Sequence, residues 1–192
     1  MAYDEEKRNL LILKGKLICI KLYFFINNAD MRYILIPALA LFVSGCVPYE
    51  IPDESHIIDA AQLMGKHETR DNLELRAFLG VDPARIEWCA AFVNAVLHAN
   101  DIPGSDSVSQ YPLTARSFLQ WGETVNEPGL GDIVVFPRGN SSWQGHVGFY
   151  LMSYIIDGEE HYLILGGNQD DSVTAEYFPA SKALGIRRYI IE

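Results

Sequence analysis

The chain has 192 residues and a formal net charge of −10, with 15 Lys and Arg against 25 Asp and Glu. That sign argues against a nucleic-acid binder, whose affinity rests on neutralising phosphates with basic side chains. Hydrophobic residues make up 49% and cysteines number only three, which argues for one packed domain with an appendage and against disorder or a disulfide scaffold.

Charge divides the chain near residue 45. Residues 1–45 carry six basic and four acidic groups, whereas residues 46–192 carry nine and 21. Within residues 1–30 the apolar run Leu10–Phe25 is interrupted by Lys14, Lys16 and Lys21, each costly at the centre of a membrane span. We expect translation to begin at Met31, which makes residues 1–30 a mis-set start. The competing account is an N-terminal extension whose apolar run continues into residues 33–45. Residues 31–45 read as a signal peptide, with Arg32 followed by an apolar run from Tyr33 to Val43. That run is too short to span ~30 Å of hydrocarbon as a helix. The ending Val43-Ser44-Gly45-Cys46 resembles the lipobox of bacterial lipoproteins. The resemblance implies cleavage before Cys46, acylation of that residue, and a cell-envelope location facing the periplasm or wall.

Residues 46–55, with two prolines and three acids before Ser55, read as a tether, and residues 56–192 as one domain. Helices are predicted over His56–Gly65 and Asn72–Leu79, the second ended by Gly80. The stretch Trp88–Ala99 has only Asn94 and His98 as polar members, and a helix apolar nearly all round must be buried. Arg116–Trp121 is a further helical candidate. Strands are predicted over Asp132–Phe136, His146–Met152, His161–Gly166, Ser172–Tyr177 and Gly185–Ile191, from β-branched and aromatic content between turn residues. Helices followed by antiparallel strands give an α+β class, with the helices on one side of a sheet.

Cys89 opens the buried helix, where free N–H groups and the helix dipole favour a thiolate. A histidine within reach would turn a space-filling thiol into a nucleophile. His98 lies nine residues along the same helix, about 13.5 Å away at 1.5 Å per residue, so it is read as an exposed or capping residue. His56 and His67 flank the first helix and are read as surface residues, and His161 as a solvated residue near a hairpin tip. His146 is the remaining candidate. It follows the polar loop Gly139–Gly145 and opens a strand in which Val147, Phe149 and Leu151 share one face and His146, Gly148 and Tyr150 the other.

Asp157-Gly158 is a two-residue turn signal, which sets His146 opposite Gln169. A single bulge would set it opposite Asn168 instead. Either amide can fix the imidazole tautomer, and the sequence leaves both open. Metal chemistry is not implied: there is no HExxH or CxxC spacing, and no cofactor is expected.

Trp88-Cys89-Ala90-Ala91-Phe92-Val93, Gly131–Phe136, Gly145-His146-Val147-Gly148-Phe149 and Gly166-Gly167-Asn168-Gln169 together resemble the papain-like bacterial cell-wall hydrolases. Within that group the chain is similar to the CHAP and NlpC-type cysteine peptidases, and to a phage-lysin-like subgroup in particular. The resemblance spans roughly residues 70–188. It implies a papain-like fold, Cys89 as nucleophile, His146 as general base and Asn168 as the orienting residue. It also implies peptidoglycan as substrate, cut at a stem-peptide or sugar–peptide amide bond through a thioester. Two other functions remain to be separated from this one: a non-catalytic wall-binding module, and an acyl or peptidyl transferase on the same fold.

Overall fold

Six strands pair into one wholly antiparallel sheet in the computed structural model, which describes residues 55–190. In chain order they are β1 (Glu123–Thr124), β2 (Ile133–Pro137), β3 (Gly145–Ile156), β4 (Glu159–Gln169), β5 (Ser172–Pro179) and β6 (Gly185–Arg188). Their order across the sheet is β1-β6-β2-β3-β4-β5, so the C-terminal strand returns to lie between β1 and β2. Among the described residues three α-helices precede them: α1 (Ser55–Gln62), α2 (Asn72–Leu79) and α3 (Cys89–Ala99). The class is α+β, as the sequence implied. The expected signal peptide, the expected lipidation residue Cys46 and the expected tether lie outside the described residues, except that Ser55 already belongs to α1.

α3 is the keystone. Eight of its residues, from Cys89 to Leu97 with only Ala95 excepted, are buried, which follows from a sequence with no polar stripe. It packs on β3 and β4, and Trp88, Phe92, Phe118, Phe149 and Leu165 form the centre of the core between them. Each such side chain contributes roughly 1.5–3 kcal/mol on full burial. α1 adds Ile57 and Ala60, and α2 adds Leu75 and Leu79, so all three helices do cover one face. α2 ends where Gly80 turns left-handed at φ 71 and donates its N–H to the Arg76 carbonyl, a glycine C-cap.

The opposite face carries a second cluster that alternation alone did not reveal. Val134, Phe136, Tyr150, Tyr162, Ile164 and Ile186 gather there, covered by Phe178, Ala180 and Ala183. The sheet is thus apolar on both faces, which explains the fully buried run Ile133–Phe136. The Arg188 guanidinium ties β6 to the start of β2, with Nε 2.8 Å from Asp132 Oδ1 and Nη2 2.7 Å from Oδ2.

Several boundaries differ from expectation. α1 stops at Gln62 rather than Gly65, and the segment Ala115–Gln120 is a 3-10 helix rather than an α-helix. Trp121 closes that segment with an N–H to the Phe118 carbonyl, and its indole N–H reaches Pro103 O at 2.7 Å. Those bonds pull the chain out of α geometry before a second turn forms. β3, β4 and β5 run longer than predicted, β6 ends at Arg188, and the two-residue β1 carried no sequence pattern long enough to read.

Candidate active site

Cys89 is the first residue of α3 and is 3% exposed. The backbone N–H groups of Val147, Ala90 and Cys89 favour negative charge on its sulfur. Burial dominates over these donors and pushes the thiol above its ordinary range. The thiolate expected from the helix terminus is therefore not the resting form. The dipole and amides lower the pKa as reasoned, but removing the sulfur from water costs the charged form more.

His146 stands one residue before Val147 at the start of β3 and is 5% exposed. Its ring lies flat against Phe178, with centroids 5.1 Å apart at 15°. Desolvation, opposed by the Gln169 hydrogen bond and assisted by the Arg138 charge, brings its pKa down to about 4. The imidazole is thus neutral across the physiological range.

The tautomer follows from Gln169. Its Nε2 donates to the Thr174 carbonyl at 2.8 Å, an acceptor with no proton to give. The amide is thereby oriented with Oε1 toward His146 Nε2, 2.8 Å away. Nε2 must carry the proton, and Nδ1 keeps the lone pair. The imidazole is held in one protonation pattern by a side chain that is itself only 3% exposed.

This assigns the partner to Gln169 and corrects the expectation for Asn168. The Asp157-Gly158 turn pairs Ile156 with Glu159, and a bulge between Tyr150 and Met152 then shifts the register so that Phe149 faces Leu165. That single shift would set Asn168 opposite His146. A second irregularity between Gly166 and Gln169, with Asn168 left-handed at φ 59, turns the chain once more. The Asn168 amide consequently turns to Glu87, donating to its Oε2 at 2.5 Å, and stays buried. Asn tolerates this backbone region better than most residues.

Two consecutive glycines let α3 and the His146 imidazole approach β4 from either side. A Cβ at 166 would stand 2.8 Å from Gln169 Oε1 and 3.2 Å from His146 Nε2. One at 167 would stand 2.4 Å from the Trp88 ring and 2.7 Å from Phe92 Cβ. The Gly-Gly pair read in the sequence is a packing requirement around the site. At the rim, Arg138 pairs with Glu87, which also receives Asn168. Sequence reasoning passed over both Glu87 and Arg138, although Glu87 lies two residues before Cys89.

The other histidines are placed as follows. His98 contacts Asp106 at 2.9 Å in an exposed pair at the end of α3. His67 Nδ1 accepts the Thr69 N–H at 3.2 Å, and His161 Nδ1 lies 3.1 Å from the Glu159 carbonyl by the hairpin turn. His56 is half-buried. Its ring packs on Phe149 at 5.6 Å and its Nε2 lies 3.4 Å from Gly131 O, because α1 docks on the sheet rather than standing off it. The Asp132 of the Gly131–Phe136 motif is structural, bound to Arg188.

Among the described residues, no group of three or more His, Cys, Asp or Glu side chains is placed to hold a metal ion. No described helix is long and apolar enough to cross a membrane. A groove of about 620 Å³ runs along the far face of α3, past Ala91, Ala95 and His98, on the side away from Cys89. No family model matches this sequence, and no curated protein matches it either.

Proposed function

We propose that this chain is a papain-like cysteine hydrolase of the bacterial cell envelope, acting on peptidoglycan and anchored to a membrane through acylated Cys46. The observation that carries the reading is local. A buried thiol opens α3, the Val147 N–H favours charge on its sulfur, and the residue before Val147 is a neutral histidine whose tautomer a buried glutamine fixes. Thiol, imidazole and amide in that relation are the parts of a nucleophile, a general base and an orienting residue.

In the proposed reaction His146 Nδ1 takes the Cys89 proton as sulfur attacks the amide carbon of a stem-peptide or sugar–peptide bond. The imidazolium then returns that proton to the leaving amine. Water, deprotonated by the same nitrogen, hydrolyses the thioester and frees the thiol. Gln169 holds Nε2–H throughout and stabilises the transient imidazolium. The N–H groups of Cys89 and Ala90, at the unfilled start of α3, are the proposed oxyanion donors. Asn168 has no part in orienting the base.

The test is digestion of purified peptidoglycan by the full-length chain, with mass analysis of the released fragments. Release by the wild type and none by a folded Cys89→Ala variant supports the reading; equal release by both refutes it. A non-catalytic wall-binding module is the second reading, and the raised thiol pKa favours it. Binding to the wall without any fragment release would select that reading. Fragments joined to an added amine rather than to water would select a transferase.

A further inference from the structure

A second cleft opens on the loop that leads into His146, and its walls have a chemistry distinct from the thiol site. Two aromatic rings face it in the open: Tyr111 is 72% exposed and Trp143 is 67% exposed. Between them lie Ser109, Thr114, Gln120 and Arg116. No carboxylate lines the cleft, in a chain whose net charge is −10.

The exposed indole is not loosely placed. Arg116 Nε donates to the Gln144 carbonyl at 2.8 Å, and its Nη2 to the Ser141 carbonyl at 3.3 Å. Ser141 Oγ accepts the N–H groups of Trp143 and Gln144 at 3.3 and 3.2 Å. Opposite, the Tyr111 N–H donates to Ser109 Oγ, while Thr114 Oγ1 donates to the Tyr111 carbonyl. Both rings are thus held by hydrogen-bonded loops while their faces stay in water. An apolar ring kept in water on an ordered loop is a poor choice for stability and a good one for binding.

From this cleft we infer that a sugar ring of a glycan strand binds here, stacked on Trp143 and Tyr111, with its hydroxyls met by Thr114, Gln120 and Arg116. The C–H face of a pyranose carries partial positive charge and packs on the negative face of an aromatic ring. Its equatorial hydroxyls demand a rim that both donates and accepts, as hydroxyl and amide groups do. Trp143 is three residues from His146, so their Cα atoms are at most ~11 Å apart. The cleft thus borders the start of the strand that carries His146. The inference rests on the hydrolase reading for its substrate, and its binding test does not.

The probe is the N-acetylglucosamine tetramer, titrated into full-length Cys89→Ala protein. Trp88 and Trp121 are buried, so a change in tryptophan emission and acrylamide quenching reports on Trp143. The expected result is saturable binding, confirmed by calorimetry and weakened about tenfold by Trp143→Ala and by Tyr111→Ala, while Trp143→Phe retains most of it. In the active background, Trp143→Ala should lower kcat/KM for peptidoglycan about tenfold more than for a sugar-free stem peptide. Absence of saturable binding, or equal loss on both substrates, overturns the inference. Sugar binding that Trp143→Ala removes, in a protein that releases no fragments, upholds the cleft and refutes the hydrolase. Fragment release without tetramer binding does the reverse.

Discussion

Replacing Gln169 by alanine removes the acceptor that fixes His146, and the cost can be worked from the contacts. The lost bond is the 2.8 Å contact between His146 Nε2 and Gln169 Oε1. A hydrogen bond to a charged partner contributes about 1.5–3 kcal/mol, and the imidazolium formed during the proposed reaction is such a partner. At about 1.4 kcal/mol per tenfold, the rate should fall about 10- to 150-fold. Stability should fall too, by about 1–3 kcal/mol, since a buried N–H is left without an acceptor. The assay is kcat/KM on a soluble stem-peptide substrate, with urea unfolding on the same preparations. Gln169→Glu separates orientation from mere filling. It keeps an acceptor and adds a negative charge, so it should raise the His146 pKa from about 4 and move the acid limb of the rate profile upward. Asn168→Ala loses only the contact to Glu87 and should change the rate less than threefold. A larger loss for Asn168→Ala than for Gln169→Ala would refute this assignment of the third residue.

Stability should also depend on pH through His146. Its folded pKa, about 4, lies below the ordinary 6.5, so between those values the unfolded chain binds a proton that the native state refuses. The contribution is fully present above pH 6.5 and is lost as pH falls toward 4, amounting to roughly 3 kcal/mol; urea unfolding of wild type and His146→Ala across pH 4–7 should show the slope only in the former. Because burial raises the Cys89 pKa, iodoacetamide should label that residue more slowly at pH 7.5 than it labels a free cysteine, as read by peptide mass mapping; faster labelling would contradict a protonated resting thiol. Gly167→Ala should cost about 1–3 kcal/mol by overpacking, because its methyl would meet the Trp88 ring at 2.4 Å, and thermal melting should register a fall of several degrees. Cys46→Ser should move the protein from the membrane to the soluble fraction, or leave an uncut precursor; unchanged membrane partitioning together with an unmodified Cys46 thiol in the native protein would refute the anchor.

The helix at Cys89, the turn at Asp157-Gly158 and the face shared by Val147 and Phe149 were legible because each is a local pattern. The identity of the third residue was not. Register arithmetic from one turn is sound until a bulge intervenes, and here two irregularities lie between the turn and the site. Their effects nearly cancel, so the unbulged count reached Gln169 by a path the chain does not take. The Asn168 backbone at φ 59 is the step that arithmetic lacked. His56 was misread for a related reason: its packing on Phe149 depends on where α1 docks, and no local pattern specifies docking. The thiol pKa was misjudged because a helix terminus is visible in sequence whereas the depth of burial is not.

Burial acts on the two reacting groups in the same sense. It raises the Cys89 thiol above its ordinary value near 9 and lowers His146 to about 4, so each is held neutral at rest. Moving the proton from sulfur to imidazole before any bond forms is uphill on both sides, because burial disfavours the charged form of each group. A free thiolate–imidazolium pair is accordingly a minor species, unlike one built on an exposed helix terminus. In the proposed reaction the proton must leave as the sulfur–carbon bond forms, when negative charge passes to the carbonyl oxygen and the amides at the start of α3 can receive it. The same arrangement limits futile chemistry, since a neutral buried thiol reacts slowly with passing oxidants or electrophiles. Its reactivity then depends on a substrate that seats a carbonyl beside Cys89, and selection of that substrate passes to the surfaces leading into the site. Those surfaces are the Glu87–Arg138 rim, where an acid and an arginine pair, and the aromatic cleft at Trp143, which Arg116 lines without any carboxylate.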